Sequence, residues 1–304
     1  MTLQQLRQVL TIAESNSMNE AAKKLFVSQP NLSATVREVE EELGITVFMR
    51  NNRGITVTAE GEEFLGYAKQ VVEQYHLLEN RYLNVESKKK FSVSMQHYSF
   101  AVKAFVQLAK EVGMDEYEFA VHETKTKEVI DNVKNLKSEI GVLYLSDFNE
   151  KVLRKLFKEC DIEFKELFTC NTYVYLWKKH PLAGQKEITL DDLQEYPCLT
   201  FEQGVNNSFY YAEEMMSTYE YKRVIKADDR ATMLNLMVGL NGFTLCSGII
   251  SEDLNGDDYA AIPLKESEKM HIGYIKHKGT KLSKLGEIYI CLLYTSDAAD
   301  EARS

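Results

Sequence analysis

No two of the five cysteines, Cys160, Cys170, Cys198, Cys246 and Cys291, stand at CxxC spacing, and none joins a metal-ligand pattern. That excludes a disulfide framework or a zinc module and predicts reduced, mostly buried thiols with no bound metal. The opening MTLQQLRQVL lacks the basic start and long apolar run of a signal peptide. No stretch reaches the roughly 18 apolar residues that a membrane span needs. The chain is therefore expected in the cytoplasm, with no membrane partner. The motifs G-x-G-x-x-G, P-loop, H-E-x-x-H and G-x-S-x-G are missing as well. An enzyme is left with an accidental His97–Glu202 pair as its acid and base, and no cofactor is expected.

A basic balance is also lacking, since the net charge is -10 over 304 residues. Its distribution matters more than its sum. Residues 1–58 hold six Lys/Arg and six Asp/Glu, whereas the remainder holds 30 and 40. The neutral start is spared the acidity of the rest, so the total does not argue against nucleic-acid binding there.

What is present begins with three closely spaced helices. Leu3, Leu6, Leu10 and Ala13 predict the inner face of a first helix. Ser17 and Glu20 form an S-x-x-E capping signal for a second, whose Ala21, Ala22, Leu25 and Phe26 give it a small-residue face. Ser28 caps a third, in which Pro30 is tolerated because it falls in the first turn. Two helices joined that abruptly are a helix-turn-helix. In the third helix Leu32, Val36, Val39 and Leu43 are expected inward. Gln29, Ser33 and Arg37 share the opposite face with Pro30 at its tip, suited to base edges and phosphates in a major groove. VFMRNNRGITVTAEG then reads as a hairpin wing carrying Arg50 and Arg53 toward the DNA backbone.

The stretch SMNEAAKKLFVSQPNLSATVREVEEELGITVFMRNNRGITVTAEG resembles the LysR-type transcriptional regulators. It carries their helix, turn, SQP, LG, F-x-R and the T-x-x-G that closes the wing. Two departures are Val47 in VFMR, where leucine is common, and Asn31, where alanine or serine is frequent.

From Thr58, a predicted N-cap, the pattern stays helical to about Glu86. Phe64, Ala68, Val71, Tyr75, Leu78, Tyr82 and Val85 are spaced 4-3-4-3-4-3, a heptad seam that predicts pairing with a second copy. ESKKK, residues 86–90, reads as a hinge.

Strands and helices then alternate: FSVSM, Tyr98–Val112, EYEFAVHE, Lys125–Leu136 and EIGVLYL, followed by YVYLWKK, PCLTF, Asn207–Thr218, RVIKA, Arg230–Leu240, GFTLCS, AAIPL and MHIGYIKH. The expected fold class is an N-terminal all-α winged helix-turn-helix with a long linker helix, then a C-terminal α/β domain of two lobes, like a periplasmic binding protein. The domain bounds are 1–58, 59–90 and 91–292. Residues 293–304, LYTSDAADEARS, read as a non-native tail.

Ligands of such sheets sit beyond the strand ends, against helix N-termini. Three loops qualify. They offer Ser94, Gln96, His97, Tyr98 and Ser99; Thr200, Glu202, Gly204, Asn206, Asn207 and Ser208; and Thr244 with Ser247. HETK adds Glu123 and Thr124. Without an arginine in these loops, a zwitterion whose ammonium meets Glu202 is the expected ligand. The SMQHYS loop is similar to that of sulfur-metabolism members of the family. The resemblance, which also covers EIGVLYL, HPLAG, ITLDDLQEYP and VGLNGFTLCSG, implies a homotetramer of two linker dimers. It further implies double-stranded promoter DNA, a small-molecule effector and RNA polymerase as partners. A solute-binding protein would explain the lobes but leaves residues 1–58 unused.

Overall fold

A computed structural model describes residues 1–15, 17–51, 54–82, 88–113, 116–206 and 208–295; the side chains at 50, 51, 54, 80–82, 252, 253 and 295 are outside it. The chain divides into two units, 1–87 and 88–304.

The first unit holds helices α1 (Leu3–Ala13), α2 (Met18–Lys24) and α3 (Gln29–Leu43), strands β1 (Phe48–Asn51) and β2 (Gly54–Val57), and helix α4 (Ala59–Tyr82). α1 starts on a reciprocal Thr2–Gln5 cap. Ser17 Oγ accepts from Glu20 N–H, and Ser28 Oγ from Asn31 N–H, so both expected caps form. Gly44, at φ 70°, ends α3 in the left-handed conformation that glycine adopts without strain. Val9, Ile12, Met18, Ala21, Ala22, Leu32, Val36, Val39, Val47, Phe48 and Leu65 make one core.

The inner face of α1 differs from the expectation. Val9 and Ile12 are fully buried with Leu6, whereas Leu3, Leu10 and Ala13 are half-buried. The reason is that α1 packs on two sides. Leu6 turns to α4, where it meets Ala68 and Val72 with Leu3, Leu10 and Phe64 around them. Leu43, expected inward, is 37% exposed because the core ends a turn earlier, at Val39.

The second unit contains, in order, β3 (Lys89–Met95), α5 (Ser99–Val112), β4 (Tyr117–Glu123), α6 (Thr126–Lys134), β5 (Ile140–Leu145), α7 (Glu150–Glu159), β6 (Ile162–Cys170), β7 (Tyr173–Trp177), β8 (Cys198–Phe201), β9 (Val224–Ala227), α8 (Arg230–Leu240), β10 (Thr244–Cys246), α9 (Glu252–Asn255), β11 (Tyr259–Pro263), β12 (Met270–His277) and α10 (Lys284–Thr295). One sheet runs β4-β3-β5-β12-β6, parallel across its first three strands and antiparallel at β12. Every residue of β5 is buried, as expected of a strand covered on both faces. α5 and α10 pack over one face and α6 and α7 over the other.

The other lobe has an antiparallel β10-β7-β11 sheet and a parallel β8-β9 pair. Leu199 N–H donates to Phe243 O at 2.7 Å and links the two. The chain passes from the first lobe to the second between β6 and β7, and returns between β11 and β12.

Three boundaries shift. β3 begins at Lys89, paired with Tyr117, so part of the expected hinge is strand. The helix expected over 207–218 does not form in its described part, residues 208–218. Only Phe209–Tyr211 make a 3-10 turn, and Glu213, Glu214 and Met215 are buried in succession. A helix cannot bury three consecutive side chains on one face. At the other end α10 runs to Thr295 and Leu293 is fully buried, so the start of the expected tail belongs to the packed fold. Residues 296–304 lie outside the described part.

Candidate functional site

The reading face is built on α3. Arg37 is exposed, Gln29 and Ser33 are half-buried, and Gln29 Nε2 donates to Ser33 Oγ at 2.8 Å. Pro30 is exposed in the first turn. Arg50 lies on β1, with its side chain undescribed, and Arg53 lies outside the described residues. Ser33 and Arg37 border a cleft with Met18, Val36, Glu40, Phe48 and Ile55, where α3 meets the wing.

The wing is tied down by Glu40, to which the sequence gives no such role, and by the predicted cap Thr58. Glu40 Oε1 accepts from Val47 N–H at 2.7 Å and Phe48 N–H at 3.0 Å. Thr58 caps α4 through Gly61 N–H at 2.9 Å and donates to Thr46 O at 2.5 Å. Gly61 has a steric reason to be glycine, since a Cβ there would sit 2.4 Å from Val47 O.

The expected pairing seam on α4 divides. Phe64 and Ala68 are used inside the domain, packed against α1, as is Val72. The helix period carries the stripe around the axis, and the first turns of α4 meet α1. Exposed apolar residues instead include Tyr67 at 61%, Val71 at 51% and Leu78 at 54%. Tyr75 lies beneath Arg7, whose guanidinium sits 5.3 Å from the ring centroid. The Tyr82 side chain is undescribed and Val85 lies outside the described residues.

The loops expected to hold a ligand converge in part. His97 is the centre. Its backbone N–H donates to Glu213 Oε2 at 3.0 Å, and its Nδ1 lies 2.7 Å from the same oxygen. Its ring stacks on Phe201 at 3.5 Å between centroids. Gln203 Nε2 donates to Glu213 Oε1 at 3.0 Å, and Gln203 Oε1 accepts from Thr126 N–H. Thr126 Oγ1 donates in turn to Tyr211 O, and Tyr144 Oη to Ala212 O. Two ion pairs also cross between the lobes, Lys125–Asp228 at 3.2 Å and Arg230–Glu123. The seam is thus filled by Gln203 from an expected ligand loop and by Tyr211, Ala212 and Glu213 from the stretch expected to be a helix.

Several expected ligand residues have other work. Ser94 is fully buried within its lobe, 2.8 Å from Ser138 Oγ, and accepts from Asn132 Nδ2 at 2.9 Å. Both partners belong to its own lobe, Asn132 on α6 and Ser138 in the loop that follows it. Gln96 is buried and spends its amide on Thr126, Tyr98 and Tyr144. Burial pushes the Tyr98 phenol well above its ordinary pKa. Ser99 is buried, and Thr124 donates to Glu128. Glu202, expected to meet an ammonium, accepts from Gly204 N–H and pairs with Lys226 at 3.5 Å. Asn206 is half-buried, Ser208 is exposed and Asn207 lies outside the described residues. Thr244 is buried with its hydroxyl unpartnered, and Ser247 is buried. The buried carboxylates at the seam are Glu213 and Glu214. Burial, then the neighbouring Glu213 charge, pushes Glu214 up to about 8.

A winged helix-turn-helix followed by a two-lobed α/β unit with a polar seam defines a DNA-binding regulator that carries its own sensor. Residues 3–62 match the bacterial regulatory helix-turn-helix protein domain of the lysR family, and residues 114–288 match the LysR substrate binding domain. The chain belongs to the LysR family. It is 25% identical to the transcriptional regulator CysL of Bacillus subtilis over 300 residues, 95% of each chain. To the dual regulator GltC of the same organism it is 30% identical over 214 residues, covering 67% of this chain and 66% of GltC. Among solved structures it is similar to full-length OxyR from Pseudomonas aeruginosa, with a TM-score of 0.72 and 19% identity, over 100% of this chain and 97% of the other. The protein is a DNA-binding transcriptional regulator and not an enzyme, with promoter DNA, a small-molecule effector and further copies of itself as partners. No helix among the described residues is long and apolar enough to cross a membrane.

Proposed function

We propose that this regulator works in the cytoplasm as a dimer of linker dimers and that a small polar metabolite, amino-acid or sulfur related, sets its promoter affinity and its contact with RNA polymerase. The metabolite binds at the seam between the lobes. The observation that carries this is the His97–Glu213 contact, which joins the lobes through a buried, hydrogen-bonded carboxylate. A ligand amino group competes with His97 for Glu213 and so favours one lobe arrangement over another. The shift cannot exceed the ligand's differential affinity for the two arrangements. The DNA contacts are Gln29, Pro30, Ser33 and Arg37 on α3, with Arg50 and Arg53 on the wing.

The test is a thermal-shift screen of amino acids and small organic acids on the full chain, repeated on Glu213→Gln. A ligand that raises the wild-type melting temperature and moves promoter occupancy should do neither at matched concentration in the variant. Equal response in both proteins places the ligand elsewhere. No response to any metabolite removes the effector reading.

A further inference from the structure

Helix α2 ends in a pair of hydrogen bonds, Val27 N–H to Ala22 O at 3.0 Å and Phe26 N–H to Lys23 O at 3.2 Å. This is the Schellman closure, which requires a left-handed residue just past the helix. That residue is Phe26, at φ 54°. Glycine or asparagine is usual there, because a bulky L side chain in this region costs about 1–2 kcal/mol. The Phe26 ring is also 95% exposed. Leu136, Asp161, Met216 and Asn241 are the other described non-glycine residues with positive φ. Asp161 and Asn241 are types with short polar side chains that tolerate it, and Leu136 and Met216 are half-buried, so packing offsets their strain. Among these five, Phe26 is the apolar side chain that is strained and uncovered at once.

Strain and exposure both disfavour the free protein, and both are offset where a partner covers the ring. Position selects the partner. Phe26 lies two residues before the Ser28 cap of α3 and three before Gln29, in the short turn that leads into the reading helix. On the major-groove edge of duplex DNA the apolar group is the thymine C5-methyl, and the other base-edge groups donate or accept hydrogen bonds. We propose that Phe26 enters the groove beside Gln29 and packs on a thymine methyl, adding an apolar base contact to the polar ones. The inference rests on α3 lying in the major groove, as in the function proposed above.

The test uses full-length protein and duplexes selected by the wild type from a random pool. Phe26→Gly and Phe26→Asn both suit the left-handed turn and remove the ring. Their melting temperatures should be unchanged or higher. Their affinity for the selected duplex should fall about five- to twentyfold, with little change on random duplex. Replacing selected-site thymines singly by deoxyuridine should weaken the wild type about three- to tenfold at one position and leave Phe26→Gly indifferent there. Gln29→Ala serves as the control. Wild-type affinity in both Phe26 variants, with Gln29→Ala weakened, overturns the contact but keeps α3 in the groove. No loss in Gln29→Ala either overturns the groove reading. Equal deoxyuridine effects in wild type and Phe26→Gly overturn the thymine assignment. A lower melting temperature in both Phe26 variants overturns the inference by assigning the ring to the fold.

Discussion

Glu214 is a carboxyl held in its protonated form by its surroundings. Desolvation is the main cause, the Glu213 charge the next, and the Phe201 N–H at 2.8 Å acts against them. Its folded pKa, about 8, exceeds the ordinary 4.5. Between those values the unfolded chain releases a proton that the folded chain keeps, so stability falls as pH rises through that window. The wild-type melting temperature should therefore decline more steeply across it than that of Glu214→Gln, which cannot ionise. Parallel melting profiles of the two proteins would show that Glu214 is ionised in the fold. Ser94 teaches the opposite lesson about location. Ser94→Ala leaves Ser138 and Asn132 short of a partner, at a cost of about 1–3 kcal/mol in denaturant unfolding. Ligand affinity should not change, and a selective loss of affinity would return Ser94 to the seam.

At the scale of elements, the wing depends on one carboxylate of α3. Removing it in Glu40→Ala orphans the Val47 and Phe48 N–H groups and should destabilise the first unit by about 1–3 kcal/mol. Because the loosened wing serves every sequence, affinity should fall on specific and random DNA alike. Binding titrations on both duplexes check this, and a loss confined to specific DNA would speak against it. Helix α4 shows why an apolar period alone misleads. A single 4-3 stripe was read as one interface, but two neighbours compete for the helix surface. α1 takes Phe64, Leu65, Ala68 and Val72, and an exposed stripe with Tyr67, Val71 and Leu78 is left for a second copy. Val71→Lys should thus reduce the oligomer in sedimentation without lowering protomer stability, since Val71 is exposed in the protomer and a buried unpaired charge is costly. An unchanged oligomer would remove this stripe from the interface.

For the whole molecule, charge is partitioned by task. The neutral first 58 residues approach DNA, and the acidic remainder repels it and discourages non-specific adhesion elsewhere on the surface. Arg53→Ala should weaken binding to all duplexes and lower the salt slope by about 1, as expected of one lost phosphate contact. A sequence-selective loss with an unchanged slope would instead make Arg53 a base reader. The two lobes add the sensing part. Their crossings at β6–β7 and β11–β12 leave them joined by two strand connections, with Arg230–Glu123, Lys125–Asp228 and His97–Glu213 among the contacts across the gap.

The sequence by itself determined what is local in the chain. The caps Ser17, Ser28 and Thr58, the abrupt turn before SQP, the hairpin wing and the strand–helix alternation are all written within a few residues of where they act. Capping, turn chemistry and periodicity depend on near neighbours. Tertiary structure decided what depends on distant partners. Glu213 and Glu214 look like solvated charges in YYAEEMM, and only the fold makes Glu213 a buried partner of His97 in the opposite lobe and Glu214 a buried partner of Phe201 in its own. Ser94 and Glu202 look free in their loops, and only Ser138, Asn132 and Lys226 engage them. The stripe on α4 looks continuous, and only α1 divides it. In each case the outcome was set by which of several competing partners, far away in sequence, reached the side chain in the folded chain.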